Sequence, residues 1–170
     1  MELLHRLRHP RLGLASNRAM VSIEHLVVTL CVAGACLGCE APDPELIPDA
    51  YLQAELGLTQ EDRVHTVVLT TESAETADPD SLTLAVGDFV QFVSEDWLVH
   101  EIAFDLDQVT SSARTFLEGT GQTASPPLID RGGRFVLSFS DAPPGRYPYA
   151  LQGNRGPGHG VLVVVDPDAR

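Results

Sequence analysis

The stretch GRYPYALQGNRGPGHGVLVVV, from Gly145 to Val165, decides the fold. Alternating aromatic residues lead from a turn glycine into a glycine-rich loop, and an apolar run closes the segment. Alternation is typical of a half-buried strand, and a continuous run of β-branched residues is typical of a buried one. The segment therefore predicts two strands joined by a loop whose composition is similar to that of a metal-binding loop.

Shorter apolar runs earlier in the chain predict further strands. They include Val64–Thr71, a pair of strands around the turn at Gly87, a strand that contains His100, and Arg134–Phe139. Many short strands separated by Gly, Pro and Asp are typical of a β-sandwich. The exception is a stretch around residues 106–118, where the spacing of apolar residues fits one face of a helix. We expect that helix to be an insertion between two strands.

Two of these segments resemble the cupredoxin family of copper proteins. One is LTLAVGDFVQFVSEDWLVHEIAF (residues 82–104), and the other is PPGRYPYALQGNRGPGHGVLVVV (residues 143–165). In plastocyanin-like proteins the first segment leads to a histidine that binds copper, and the matching residue here is His100. The resemblance implies an all-β, cupredoxin-like Greek-key sandwich over residues 64–170.

The other copper ligands of the family are missing from the matching positions. In the family, the closing segment carries a cysteine, a histidine and a methionine after its two aromatic residues. Here Leu151 stands at the cysteine, Asn154 at the histidine and His159 at the methionine. A type 1 copper centre needs a thiolate beside two imidazoles, and a leucine side chain has no donor atom. The sequence therefore predicts a cupredoxin scaffold without a type 1 copper centre and without a resident cofactor.

Two interpretations remain open for the histidines and for the nearby tryptophan. His100 and His159 could together hold Cu(II) or Zn(II), which both accept imidazole ligands. Alternatively, His100 binds a loop carbonyl and His159 lies half exposed in a glycine-rich turn. Trp97 either belongs to an apolar rim that contacts a partner, as the resemblance implies, or packs beneath its loop.

The charge balance restricts the classes of partner. The chain has 24 acidic residues and 11 arginines and a formal net charge of −13, and 22 of the acids follow residue 39. A field of this sign repels nucleic acid and anionic membranes, and it favours cationic partners or solubility. The sequence also lacks any nucleophile, base or metal-hydrolase motif. We therefore expect a binding protein with an envelope protein as its partner, not an enzyme.

The first 39 residues indicate an export signal. Arginines precede an apolar run of 13 residues from Leu26 to Gly38, which is too short to span a membrane but fits a signal-peptide core. The run ends at Gly38-Cys39 and resembles the lipobox of bacterial lipoproteins, with Cys36 where leucine is usual. We expect a domain in the cell envelope or periplasm with its lipid anchor at Cys39. Plain secretion and an uncleaved anchor are the alternatives, and Met20 is an alternative start.

A linker is predicted between this signal and the domain. Residues 40–63 are acidic and begin with three prolines in nine residues, a composition typical of an extended tether. Asp49 is placed to cap a short helix within it. All the cysteines of the chain, Cys31, Cys36 and Cys39, precede this linker. The domain that follows therefore has neither a disulfide nor a thiolate ligand.

Overall fold

A computed structural model describes residues 43–167, so the predicted export signal lies outside the described residues. The described chain begins with a 3-10 turn at Pro44–Leu46. Two α-helices follow at different points of the chain, α1 (Ala50–Leu56) and α2 (Ser111–Thr120). Eight strands make up most of the rest: β1 (Val64–Thr71), β2 (Glu75–Asp78), β3 (Ser81–Ala85), β4 (Phe89–Ser94), β5 (His100–Phe104), β6 (Arg134–Ser138), β7 (Gly145–Gly153) and β8 (Gly158–Val165).

The strands form two four-stranded sheets, which confirms the predicted all-β sandwich. One sheet has the order β2-β1-β4-β6 and the other the order β3-β8-β7-β5. The β1–β4 and β3–β8 pairs are parallel, whereas the remaining pairs are antiparallel. Parallel partners are distant along the chain, since β3 pairs with the last strand. Because consecutive strands from β2 to β7 belong to different sheets, the chain passes repeatedly between the two sheets.

Alternating side chains from both sheets fill the space between them. Tyr147, Tyr149 and Leu151 of β7 all point inwards and are buried. The ring of Tyr149 meets Phe92 of the opposite sheet edge-on, with the ring centroids 5.2 Å apart. The hydroxyl of Tyr147 donates to the carbonyl of Pro143 over 2.6 Å, and burial raises the pKa of this tyrosine to about 12. The alternation predicted from the closing segment is therefore the pattern that builds the core.

The predicted insertion is helical, but its helix begins later than expected. The side chain of Thr110 caps α2 by accepting from the Ala113 N–H over 3.2 Å. The preceding residues instead form a turn, in which Asp105 Oδ1 accepts from the Asp107 N–H over 3.1 Å. An aspartate that binds the backbone two residues ahead favours a turn over a helix. No helix within residues 43–167 is long and apolar enough to cross a bilayer.

The residues before β1 belong largely to the folded domain. As predicted, a short helix follows Asp49, whose Oδ1 accepts from the Leu52 N–H over 2.9 Å. Leu52 has no exposed surface, yet it lies outside the main core cluster. Asp49 Oδ2 also accepts from Arg134 of β6 over 2.6 Å, and the guanidinium of Arg134 lies 5.2 Å from the ring centre of Tyr51. Most of the predicted linker 40–63 is therefore ordered against the sheet that contains β6.

The two ends of the sandwich carry different loops. At the entry end, which we define by residues 43–47, 60–63 and 87–88, the chain enters β1. There Asp88 Oδ2 accepts from the Ala85 N–H over 2.9 Å and lies 2.8 Å from His65 Nε2. At the loop end, which we define by residues 72–74, 95–99, 129–133 and 154–157, β1 and β4 finish and β5 begins. The residues that match the copper site of cupredoxins lie at or near the loop end.

We predict that Leu52→Ala destabilises the domain, because it removes a fully buried side chain that holds the N-terminal segment on the sheet. The expected loss in the free energy of unfolding is about 2–4 kcal/mol, measured by urea denaturation. Leu56→Ala is the matched control, since Leu56 lies in the same helix with half of its surface exposed. Equal free energies of unfolding for the two variants would contradict the packing of this segment and would favour the extended linker.

Candidate functional site

His100 occupies a fixed position at the loop end. It is the first residue of β5, and its backbone pairs with Leu128 through two hydrogen bonds of 3.0 and 2.8 Å. Alternate residues of β5 face the core, so the imidazole points between the sheets. Only 1% of its surface is exposed. A polar ring buried this completely needs partners for both of its nitrogens.

Both partners of the imidazole are carboxylates. Nδ1 lies 2.7 Å from Glu75 Oε2, and Nε2 lies 2.9 Å from Asp96 Oδ1. An ionised carboxylate can only accept hydrogen bonds, so both bonds are made when both ring nitrogens carry protons. The ring is then a cation between two anions. Together with Thr71, these three residues form what we call the carboxylate–imidazole cluster.

Glu75 is the most deeply buried member of the cluster. Its side chain has no exposed surface, and each of its oxygens accepts from the Thr71 hydroxyl over 3.0 Å. The β7–β8 loop passes directly over it. A Cβ atom at Gly153 would overlap the Glu75 carboxylate, and one at Gly158 would overlap its backbone carbonyl. Glycine at these two positions gives Glu75 the space to reach His100.

Asp96 links the cluster to the backbone around it. Besides His100, its two oxygens accept from the Leu98 N–H over 2.8 Å and from the Thr71 N–H over 2.9 Å. Burial raises the pKa of this carboxyl, but the hydrogen bonds from Leu98 and His100 outweigh that effect and the pKa is lowered. Asp96 is therefore an ionised group that joins the end of β1 to the β4–β5 loop.

The positions that match the missing copper ligands have structural roles. Leu151, which stands at the cysteine, is buried in the core and pairs with Ile102 across β5 and β7. Asn154 stands at the second histidine, and its Oδ1 accepts from the Val99 N–H over 2.8 Å. This bond ties the β7–β8 loop to the β4–β5 loop. The donor set at these positions does not fit type 1 copper, because no thiolate is present and both nitrogens of His100 are engaged.

The structure does not bring His159 and His100 together. His159 lies on β8 opposite Ala150, and alternation along β8 places it on the outer, exposed face of the sheet. His100 points into the core from the other face of the same sheet. Within residues 43–167, no group of three or more His, Cys, Asp or Glu side chains could hold a metal ion. The arrangement thus gives no support to a copper or zinc site shared by His100 and His159.

Trp97 lies in the β4–β5 loop, next to the cluster but on the outside. Its side chain is 73% exposed, so it does not pack beneath the loop. Ile129, which is 61% exposed, lies on the neighbouring loop. The two loops run side by side, because the Gly132 N–H donates to the Ser94 carbonyl over 2.7 Å. We call the exposed pair Trp97 and Ile129 the Trp97 rim.

Sequence reasoning missed the two carboxylates of the cluster. The expectation that His100 binds a loop carbonyl is wrong, since its ring binds Glu75 and Asp96. Glu75 is separated from His100 by 25 positions and lies in a short polar strand that the sequence did not predict. The available signal was the pair of glycines, Gly153 and Gly158, at the two ends of the β7–β8 loop. Such a pair indicates that a side chain passes closely beneath the backbone.

Comparisons with solved structures found cupredoxins that are similar to this chain at low identity. No protein-family model matches the chain, and no curated protein matches it. Plastocyanin from Dryopteris crassirhizoma is 20% identical, with 59% of this chain and 99% of that one covered and a TM-score of 0.44. A purple cupredoxin from Nitrosopumilus maritimus is 21% identical, with 59% and 99% covered and a TM-score of 0.40. A mutant amicyanin in its reduced Cu(I) form is 20% identical, with 61% and 84% covered and a TM-score of 0.42.

We predict that Glu75→Gln destabilises the protein strongly, because it replaces a buried carboxyl group that binds both the His100 ring and the Thr71 hydroxyl. Breaking one side of a buried ion pair costs about 3 kcal/mol or more in the free energy of unfolding. Glu72→Gln is the control, since Glu72 is an exposed acid in the adjoining loop. If both variants unfold at the same urea concentration, the cluster does not stabilise the loop end.

We also predict that the protein binds neither Cu(II) nor Zn(II) in a one-to-one complex tighter than about 1 μM, which corresponds to roughly −8 kcal/mol. The reason is that both ring nitrogens of His100 are engaged and that His159 faces away from it. Isothermal titration calorimetry measures this directly. A tighter isotherm that disappears in both His100→Ala and His159→Ala would contradict the prediction and establish a shared metal site.

Proposed function

We propose that this protein is an exported, membrane-tethered binding domain with a cupredoxin-like fold, which contacts a protein partner through its loop end. The domain does not act as a type 1 copper protein, and its role is interaction and not catalysis. The observation that carries the proposal is the carboxylate–imidazole cluster. It fills the position where a copper protein would hold its metal and leaves an intact set of loops around it.

The cluster supports an interaction role because it fixes the loops that would form the contact. Thr71 and Glu75 hold the β1–β2 connection, and Asp96 holds the β4–β5 loop. The β7–β8 loop joins them, since the Glu75 N–H donates to the Gly156 carbonyl over 2.8 Å and Asn154 binds Val99. A surface that is ordered before binding loses less conformational entropy when a partner docks.

The chemistry of the loop end indicates the kind of partner. The Trp97 rim exposes two large apolar side chains, and tryptophan is the residue type most often found as an anchor of protein interfaces. The loops around this rim carry the exposed acids Glu72, Glu95 and Asp130 and the exposed arginines Arg131 and Arg155. We infer a partner that offers an apolar pocket and carries a net positive charge, because the domain as a whole is strongly acidic, with 20 acids and 6 arginines in residues 43–167.

The site of action follows from the N-terminal sequence. The signal-like run that ends at Cys39 supports export and lipid anchoring, and the acidic domain would then face the periplasm or the cell surface. The negative charge of the domain disfavours nucleic acid and anionic lipid as direct ligands. The membrane would therefore be contacted through the N-terminal anchor alone, and an envelope protein would be the partner.

We predict that a photoreactive amino acid at position 97 of the full chain crosslinks to one discrete partner in the native envelope. The same group at position 56 should give no such product, because Leu56 is also exposed but lies in α1, which is not one of the loops that form the loop end. With the crosslinked partner purified, Trp97→Ala should weaken binding about 30-fold, as expected for a central tryptophan anchor.

The control for that titration is Leu56→Ala, which should leave the affinity unchanged. Crosslinking from both positions to the same extent, or a partner whose affinity is insensitive to Trp97→Ala, would contradict docking through the loop end. Tighter binding of the wild-type domain at higher salt concentration would also contradict the proposal. Salt screens charges and should weaken the attraction between an acidic domain and a basic partner.

A further inference from the structure

We propose that the open edge of β3 is a second binding site, at which an extended, basic segment of a partner protein adds to the sheet as a further strand. The site is formed by the backbone of Ser81 and Thr83 and by the acids beside them. It lies outside the loop end and goes beyond the proposed function, so it can be tested without the Trp97 rim.

β3 is an edge strand with a single neighbour. Its sheet has the order β3-β8-β7-β5, and within residues 43–167 β3 pairs only with β8. The opposite edge of the same sheet is covered, because a later part of the chain runs along β5. There the Phe104 N–H donates to the Thr123 carbonyl over 2.9 Å, and the Leu128 N–H donates to the His100 carbonyl over 2.8 Å. In the described part of the chain, no segment of this kind covers β3.

The backbone groups of Ser81 and Thr83 face away from β8. At one end of the β3–β8 ladder the Asp80 carbonyl accepts from β8 over 2.8 Å, and at the other end the Val86 N–H donates to β8 over 3.0 Å. Because the backbone groups of alternate residues point to the same side of a strand, the even-numbered residues of β3 are the ones that bind β8. The N–H and carbonyl groups of Ser81 and Thr83 therefore point to the open side, and both residues are exposed.

The open part of this edge is bounded on both sides. Beyond Thr83, the Ala85 N–H donates to Asp88 Oδ2 over 2.9 Å, and the Ala85 carbonyl accepts from the Asp88 N–H over 3.1 Å. Before Ser81, Pro79 has no N–H to donate. Ser81 and Thr83 each offer one donor and one acceptor between these limits. Extended peptides bind open sheet edges through backbone groups of this kind.

β3 has neither a charge nor a proline to protect its edge from pairing. Its sequence, SLTLA, is uncharged and alternates regularly. Leu82 and Leu84 pack towards the core, whereas Ser81 and Thr83 lie on the outer face of the sheet, next to half-buried valines of β8. An uncharged and regular edge of this kind is a template for another strand.

The residues around the edge indicate the kind of segment that would bind. Asp78 and Asp80 are exposed just before β3, and the only arginine of this sheet, Arg146, is separated from β3 by β8. A second copy of the chain would bring the same acids to the edge, and like charges would oppose that pairing. A segment that carries Arg or Lys is attracted instead. Its residue opposite Leu82 is expected to be apolar, because the Leu82 side chain is only half buried.

Amide hydrogen exchange, followed by NMR on isotope-labelled full-length protein in nonionic detergent, tests the edge residue by residue. In the free protein, the amides of Leu82 and Leu84 should exchange slowly because they bind β8, and those of Ser81 and Thr83 about 100-fold faster. The probe is a short peptide with blocked ends in which arginine and valine alternate. At a peptide concentration ten times the dissociation constant, exchange at Ser81 and Thr83 should slow about tenfold.

Thr83→Pro is the variant that blocks the edge. Because the Thr83 N–H faces away from β8, proline removes a donor to the peptide without removing a bond of the β3–β8 ladder. We expect this variant to bind the peptide about tenfold more weakly. Thr83→Val keeps the N–H and is the matched control, which should bind as the wild type does. If Thr83→Pro does not fold, Ser81→Pro makes the same test at the other end of the open edge.

Several outcomes would overturn the site. One is the absence of slowed exchange at Ser81 and Thr83 up to about 1 mM peptide, and another is binding that Thr83→Pro leaves unchanged. A peptide with glutamate in place of arginine should have no effect, and an equal effect would overturn the basic partner. Slow exchange at both amides in the free protein would mean that the edge is already occupied, and its loss on dilution would identify a second copy as the occupant. None of these results bears on the Trp97 rim, which is tested by crosslinking from position 97.

Discussion

The loop end of this protein depends on the burial of one imidazole ring. His100 is held by strand pairing in a position where neither ring nitrogen can reach water, and a buried polar atom without a partner costs about 1–3 kcal/mol. In the cupredoxins that the sequence resembles, a metal ion takes one nitrogen of the matching ring. Here Glu75 and Asp96 take both. Bringing two carboxylates to that ring requires three other features. These are the path of β2, the glycines at the ends of the β7–β8 loop and the backbone bonds of the β4–β5 loop.

The sequence predicts most of the sandwich, because strand alternation is a local property. The aromatic residues of β7 alternate in the sequence as they do in the core, and their position after the Gly145 turn fixes the register with β8. The two discrepancies have long-range or competing causes. The predicted linker is partly folded, and one bond that holds it joins Asp49 to Arg134, which lies 85 residues away in the sequence. The helical insertion begins late, because the Asp105 side chain stabilises a turn where apolar periodicity indicated a helix.

Some residues of the site could be identified from the sequence and others could not, and the difference has a physical reason. His100, Leu151 and Asn154 could be placed because they stand at fixed spacings within recognisable segments. Glu75 and Asp96 could not be identified, because in a chain of net charge −13 an acidic residue is most often a solvated one. What makes these two acids different is their position beside a ring contributed by another strand. That position is set by the pairing of β1 with β2 and of β5 with β7, which no local pattern of the sequence encodes.

A cluster of carboxyl groups around an imidazole ring supports different chemistry from a metal centre. Carboxyl groups, an imidazole ring and a threonine hydroxyl are closed-shell groups without an accessible oxidation state, so the cluster supplies no route for an electron. It does supply rigidity, since it links three loops by bonds that need no ligand from outside. The bonds from Asp96 and Asn154 hold the backbone directly after Trp97, at Leu98 and Val99, and Asp96 also accepts from the Thr71 N–H at the end of β1. A domain with these properties is suited to holding an exposed apolar side chain such as Trp97 in one geometry.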